Sequence, residues 1–230
     1  MKYTFTYRGI TRELPIYEVS GGLKIAYLDS FCDLELVNAI SVDMADKISG
    51  SPEFLSADRV VIVTAVTKGV PFAYVVANLL TEKCKGKKIE LAIARKENKI
   101  FYGNVVAVDK VSITSCDGSD LLVLAENDVK KLNGAPTIIL DDMYSTGASI
   151  EALEDLAKKC EAKIIDRVVA VWETGDESRL PTMYAKGTPF VTAVMITTFS
   201  ADKNASFSAI LSAISTESAL TNSRSQKLSR

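Results

Sequence analysis

Thr137-Ile138-Ile139-Leu140-Asp141-Asp142-Met143-Tyr144-Ser145-Thr146-Gly147-Ala148-Ser149 is the stretch whose reading decides the fold. Its first four residues are β-branched or aliphatic without alternation, as in a parallel strand buried on both faces. Two carboxylates follow directly, then a turn rich in small, hydroxyl-bearing and glycine residues. In an open α/β sheet that polar end lies at the carboxyl edge, where ligands bind. Asp141 and Asp142 are acceptors suited to the hydroxyls of a sugar. Ser145, Thr146, Gly147, Ala148 and Ser149 could wrap a phosphate at the N-terminus of the next helix. A sugar phosphate fits both halves. An apolar strand followed by Asp-Asp and a Gly turn also occurs by chance in α/β proteins, the acidic pair being then a solvated strand end.

The thirteen residues together resemble the phosphoribosyl diphosphate (PRPP) motif of type I phosphoribosyltransferases: an apolar strand, paired acids, two variable residues, a small residue, then Thr-Gly-Gly-Thr. Ala148 and Ser149 stand where that family more often has Gly and Thr. The resemblance runs from about Leu14 to Phe199 and is closest to the adenine and xanthine enzymes. It implies a twisted parallel sheet flanked by helices with a small N-terminal β hood. Three segments are expected: a hood over residues 1–30, a core over 31–214 and a polar, frayed tail over 215–230.

Composition narrows the chemistry independently. The chain has 230 residues, 47% hydrophobic and 24% charged, which is enough for one substantial core. A net charge of −2 gives no reason to expect nucleic-acid or membrane-surface binding. No histidine is present, which excludes Ser-His-Asp and Cys-His catalysis and any histidine base. Cys32, Cys84, Cys116 and Cys160 form no C-x-x-C pair, so reduced structural thiols in a cytoplasmic protein are expected. The N-terminus lacks an apolar signal core, and no apolar run reaches the length of a membrane span.

Along the chain, residues 1–29 read as short antiparallel strands. Leu34, Val37, Ile40, Met44, Ala45 and Ile48 recur at helical spacing. Strands are expected at 59–64, 90–94, 121–124, 164–171 and 190–196, and helices at 72–80 and from 149 to about 160. This alternation argues a parallel α/β sheet. The polar segment 95–120 is long for a connection, which suggests a functional role.

Two further places suit a pyrophosphate. Thr67, Lys68 and Gly69 follow the 59–64 strand, where glycine lets backbone N–H groups converge on an anion and lysine adds charge. Arg95 and Lys96 follow the 90–94 strand. The resemblance implies that both groups hold the leaving diphosphate. It also implies that residues 97–120 close over the site as a mobile loop, with Tyr102 and Ser112 to Ser115 as contact candidates. An ordinary basic turn and a solvated strand end remain the plainer alternatives.

The same resemblance implies Mg²⁺ held mainly by PRPP, with Asp141 reaching it through water, a purine as second substrate, and a homodimer. Phe31 and the Arg12-Glu13-Leu14-Pro15 corner are base-side candidates, with packing as their alternative. Ser145 stands where hypoxanthine–guanine enzymes of the family have an aspartate, which points to adenine. Where adenine enzymes of the family carry a loop glutamate, the comparable stretch Val111-Ser112-Ile113-Thr114-Ser115 has no carboxylate until Asp117, which keeps xanthine open. A PRPP-sensing regulator without turnover is the reading of a different class.

Overall fold

The computed structural model describes residues 2–18, 23–111, 119–145, 147–174, 191–197 and 199–200. The chain opens with strands β1 (Lys2–Tyr7), β2 (Ile10–Glu18) and β3 (Leu23–Ala26), then helices α1 (Leu34–Ser49) and α2 (Pro52–Ser56). Strand β4 (Arg59–Ala65), helix α3 (Gly69–Lys83) and strand β5 (Lys88–Ala94) follow. After one 3₁₀ turn at Ile100–Tyr102 come β6 (Val106–Val111), β7 (Ser119–Leu124) and α4 (Glu126–Leu132). The remainder is β8 (Pro136–Tyr144), α5 (Ala148–Lys159), β9 (Lys163–Thr174), β10 (Val191–Thr197) and β11 (Phe199–Ser200).

The centre is a five-stranded parallel sheet in the order β10-β9-β8-β4-β5. Its strands lack alternation because both faces are covered. Val60, Ile62, Ile138 and Leu140 pack with α1 and α3, whereas Val61, Val63 and Ile139 pack with α5 on the opposite face. Phe54 and Phe72 are fully buried on the first face; each contributes about 1.5–3 kcal/mol by leaving water.

Helix α1 begins where Asp33 accepts a hydrogen bond from the Leu36 amide at 3.2 Å. It buries Leu36, Val37, Ile40, Met44, Ala45 and Ile48, the expected periodic face, while Leu34 faces solvent. Helix α2, at 5 residues, is too short to show helical periodicity in the sequence. Ser51 caps it and Pro52 opens it, and Lys87 closes it by donating to the Phe54 carbonyl at 2.9 Å and to the Ala57 carbonyl.

Strands β1, β2 and β3 pair antiparallel as expected, and β11 adds to the free edge of β3 through Phe199↔Lys24 and Ser200↔Leu23. The resulting four-stranded hood sits on α1. Arg12 bonds Asp33 through Nε at 2.6 Å and Nη2 at 2.8 Å, and Glu35 at 2.9 Å. The Arg12 hydrogen bonds hold the Asp33 carboxyl below its ordinary range. Tyr7 and Arg8 both bond Asp43 further along the helix. Arg12 therefore fastens hood to helix.

The 95–120 segment differs from the expected loop. Residues 106–111 and 119–124 form an antiparallel hairpin, with Val106↔Leu124 and Val108↔Leu122. Val108, Leu122 and Leu124 are buried beside α5, so the alternation in 106–108 marks a half-buried strand. Arg95 bonds Val123 in both directions, at 2.8 and 2.7 Å, fastening the hairpin to the end of β5. Ser112 to Ser115, Thr146, Cys116 and the 215–230 tail lie outside the described residues.

Asp166, on β9, makes stability depend on pH. Its side chain accepts from the Arg167 amide at 2.8 Å. Burial pushes its carboxyl from 3.8 up to about 6, with Glu53 adding to the rise and the Arg167 amide and charge opposing it. The unfolded chain releases this proton near 3.8 but the folded chain holds it to about 6. This contribution to stability is thus complete below the unfolded value and is lost as pH rises through about 6. Asp166→Asn should raise Tm at pH 7.5 and leave it nearly unchanged at pH 3.5. Equal shifts at both pH values in thermal melts would overturn this.

Candidate functional site

Strands β4 and β8 are adjacent and parallel, paired from Val61↔Thr137 to Val63↔Ile139. The chain leaves β4 for α3 on one face and leaves β8 for α5 on the other. A crevice therefore opens beyond their carboxyl ends, at the point where the winding direction reverses. Both helices meet it with their N-termini, and neither has a side-chain cap: Lys68 precedes α3 and Gly147 precedes α5. Two positive helix ends thus flank one cleft, each ready for an anion.

Asp141 and Asp142 lie between them at the end of β8. Asp141 is buried, and its Oδ1 accepts from the Asp142 amide at 3.0 Å. The loop after β4 is bound in from the other side, since the Val66 amide donates to the Ala94 carbonyl at 2.9 Å. The Val66–Thr67 peptide is cis. Gly69 then packs directly on the aspartate: a Cβ there would lie 2.3 Å from Thr64 Oγ1 and 3.0 Å from Asp141 Oδ1. The Thr64 hydroxyl is buried with no hydrogen-bond partner among the described residues. In sequence Thr64 reads as the polar end of the buried strand that leads into the Thr67–Gly69 loop.

Gly147 has φ +88°, a left-handed conformation that glycine adopts without strain. A Cβ there would lie 2.7 Å from the Tyr144 hydroxyl, so the tyrosine ring forms the floor of the turn. Burial, then the charges of Glu151 and Glu154, push the Tyr144 phenol up to about 12, which keeps it neutral. Ser145 and Ser149 are half-buried around this turn, and Ala148 opens the helix.

The structure thus brings the Thr67–Gly69 loop beside Asp141 and Asp142, with Ser145, Gly147, Ala148 and Ser149 on the far side. Arg95 reaches the same sheet edge but faces away. Its Nη1 bonds the Ile93 carbonyl at 2.7 Å and Asp128 at 2.9 Å, and its guanidinium lies 5.1 Å from the Tyr102 ring. Arg95 and Tyr102 border a second cavity of about 390 Å³ with Glu126, Asp128 and Lys131. Lys96 follows, exposed. Phe31 is exposed on the turn before α1.

Among the described residues, no group of three or more Asp, Glu, Cys or His side chains could hold a metal ion. Two adjacent carboxylates fit Mg²⁺ only as partners to ligand phosphate oxygens and water, the manner in which that ion is usually held. No helix among the described residues is long and apolar enough to cross a membrane. In the basic run 83–88, Lys83 pairs with Asp46 and Lys88 with Glu90 at 3.2 Å, while Lys87 bonds backbone carbonyls.

Comparison with known proteins agrees with this geometry. Among curated proteins, the chain is similar to the purine biosynthesis transcriptional repressor PurR of Bacillus subtilis, 27% identical over 210 residues, covering 80% of this chain and 70% of the repressor. A probable purine biosynthesis transcriptional regulator PurR of Streptococcus pneumoniae is 29% identical over 103 residues, 45% of this chain and 34% of that protein. Among solved structures, adenine phosphoribosyltransferase of Giardia lamblia complexed with 9-deazaadenine superposes with a TM-score of 0.58 at 14% identity, covering 80% of this chain and 93% of that one. The Saccharomyces cerevisiae adenine phosphoribosyltransferase gives 0.56 at 21% identity, covering 78% and 93%. At these identities the structural likeness establishes the fold. The phosphoribosyl transferase domain profile matches residues 33–202, most of the chain and both sides of the crevice, and the chain belongs to that family.

Proposed function

We propose that the crevice between β4 and β8 binds PRPP and that the protein transfers its phosphoribosyl group to a purine base, adenine before xanthine. The supporting observation is the pair of uncapped helix N-termini flanking Asp141 and Asp142. A ligand with two phosphate groups joined through a ribose matches that order: anion, diol, anion. Ser145, Thr146, Gly147, Ala148 and Ser149 hold the 5-phosphate, and the two aspartates hold the ribose hydroxyls. Thr67, Lys68 and Gly69 hold the diphosphate. Arg95 and Lys96 complete that end once the Arg95–Asp128 pair opens. Bound Mg²⁺ supplies charge neutralisation of the diphosphate.

In the reaction, a purine ring nitrogen forms the bond to C1 as the C1–O bond to diphosphate breaks and its electron pair leaves with pyrophosphate. Asp141 and Asp142 stabilise positive charge developing on the sugar, a contribution of positioning and electrostatics. No protein base is assigned. A cytoplasmic homodimer is the expected form.

The similarity to purine repressors favours a second reading, in which the same site senses PRPP without turnover. Within the basic run 83–88, two of the four lysines, Lys83 and Lys88, are engaged by carboxylates of the chain itself.

The deciding experiment supplies purified protein with PRPP, Mg²⁺ and, in turn, adenine, xanthine, hypoxanthine, guanine, uracil and orotate. Turnover of one purine is expected. Asp142→Asn should lower it about ten-fold or more, the worth of a charge-assisted hydrogen bond. PRPP binding without turnover on any base would leave the sensor.

A further inference from the structure

Lys68 is the loop cation of the proposed diphosphate end, yet its ammonium is turned toward the hood. Nζ donates to the Leu28 carbonyl at 3.0 Å and lies 3.9 Å from the centre of the Tyr27 ring. Residues 27 and 28 directly follow β3, the hood strand that also pairs with β11. Tyr27 is in turn held edge-on by Tyr17 of β2, with ring centres 6.0 Å apart. Lys68 thus joins two units that are 40 residues apart in sequence.

Lys68 shares this kind of contact with Lys87, which donates to the Phe54 and Ala57 carbonyls and lies 4.8 Å from the Phe54 ring, but among the described residues only Lys68 does so beside the crevice. Lys83, Lys88, Lys130, Lys131 and Lys158 each meet a carboxylate. Lys68 is half-buried, and among the described residues no carboxylate pairs with it. A carbonyl and a ring face are weak substitutes for an anion, and a phosphate oxygen is a stronger partner than either.

Resting on the PRPP reading, we propose that the Lys68 ammonium is a shared latch, held by Tyr27 and Leu28 until a diphosphate draws it away. Diphosphate binding and hood attachment then compete for one cation. An anion at the α3 end releases the 27–31 segment, and a hood held against Lys68 weakens the ligand by the same factor. The rest of the hood stays seated, because Arg12 and Arg8 anchor β2 and the β1–β2 turn on α1 without involving the crevice.

The test titrates the full chain with PRPP and Mg²⁺ and, separately, with ribose 5-phosphate, which lacks the diphosphate. Tyr27→Leu should tighten PRPP about two- to five-fold, as loss of one exposed cation–π contact predicts, and leave ribose 5-phosphate unchanged. Tyr27→Phe, which keeps the ring face, should match the wild type. On a Lys68→Met background Tyr27→Leu should change nothing. Amide exchange of residues 27–31 should quicken with PRPP but not with ribose 5-phosphate. Unchanged or weaker PRPP binding in Tyr27→Leu, or the same change on the Lys68→Met background, overturns the latch while sparing the PRPP reading. Failure of the wild type to bind either ligand overturns both.

Discussion

Gly69→Ala should lower PRPP-dependent turnover more than a hundred-fold, with PRPP affinity falling in step. Gly69 has an ordinary negative φ, so its backbone would accept alanine. Space is what excludes it. The added carbon would stand 2.3 Å from Thr64 Oγ1 and 3.0 Å from Asp141 Oδ1. The first distance is impossible and the second is tight, so the loop, the threonine or the aspartate must move. A threonine in a central strand has little rotamer freedom. Overpacking of this kind costs about 1–3 kcal/mol in stability. The larger consequence is functional, because a displacement of about 1 Å at a reacting centre can cost 10²-fold in rate. Adding Thr64→Ala to the alanine variant removes the worse contact and should recover stability while restoring only part of the turnover. Wild-type kinetics for Gly69→Ala would show that the loop does not abut the ligand.

Glu154→Ala should destabilise the fold by about 3–5 kcal/mol, the cost of stranding a buried charge. Arg167 on β9 donates through Nε to Glu154 Oε1 at 2.5 Å, and both side chains are only 10% exposed. Burial alone would raise the Glu154 carboxyl. The Arg167 hydrogen bond and charge, with help from Lys158, outweigh it and hold the group below its ordinary value. Its folded value being depressed, this contribution is present above the unfolded value of 4.5 and is lost as pH falls through the folded one. The double variant Glu154→Leu/Arg167→Met, which leaves neither charge, should lie much closer to the wild type than Glu154→Ala. Urea unfolding at pH 7 checks both. The pair matters beyond stability because it fastens the middle of α5 to the sheet, and the first turn of α5 carries Ala148 and Ser149. Equal loss in single and double variants would mean that packing, not charge, is what holds this helix.

The parts legible in sequence are those where one local rule suffices. Thr137 to Leu140 lacks alternation because the strand is covered on both faces, and the same holds for Val60 to Val63. Glycines at 69 and 147 mark a close approach and a left-handed turn. The parts that stayed hidden depend on distant partners or short elements. Helices α2 and α4, at 5 and 7 residues, are too brief for a periodic signal to emerge. The hairpin was half visible, since 121–124 reads as a strand but nothing local assigns 106–111 as its partner. Arg95 read as a free basic residue because Asp128, its partner, lies 33 residues on, in the helix that was not read. Lys68 read as a diphosphate ligand, and nothing near it in sequence announces Tyr27.

Strand β11 gives the molecule a timetable. Phe199 and Ser200 complete a sheet whose other three strands end at Ala26. On the ribosome, the outer edge of β3 emerges first and waits for more than 170 residues of synthesis before its partner exists. Open strand edges recruit other chains, so the nascent protein is most exposed to misassociation in this interval. Loss of residues 199 and 200 from the finished protein would bare the same edge of β3. The β3 edge is therefore covered only after the whole parallel sheet has been made.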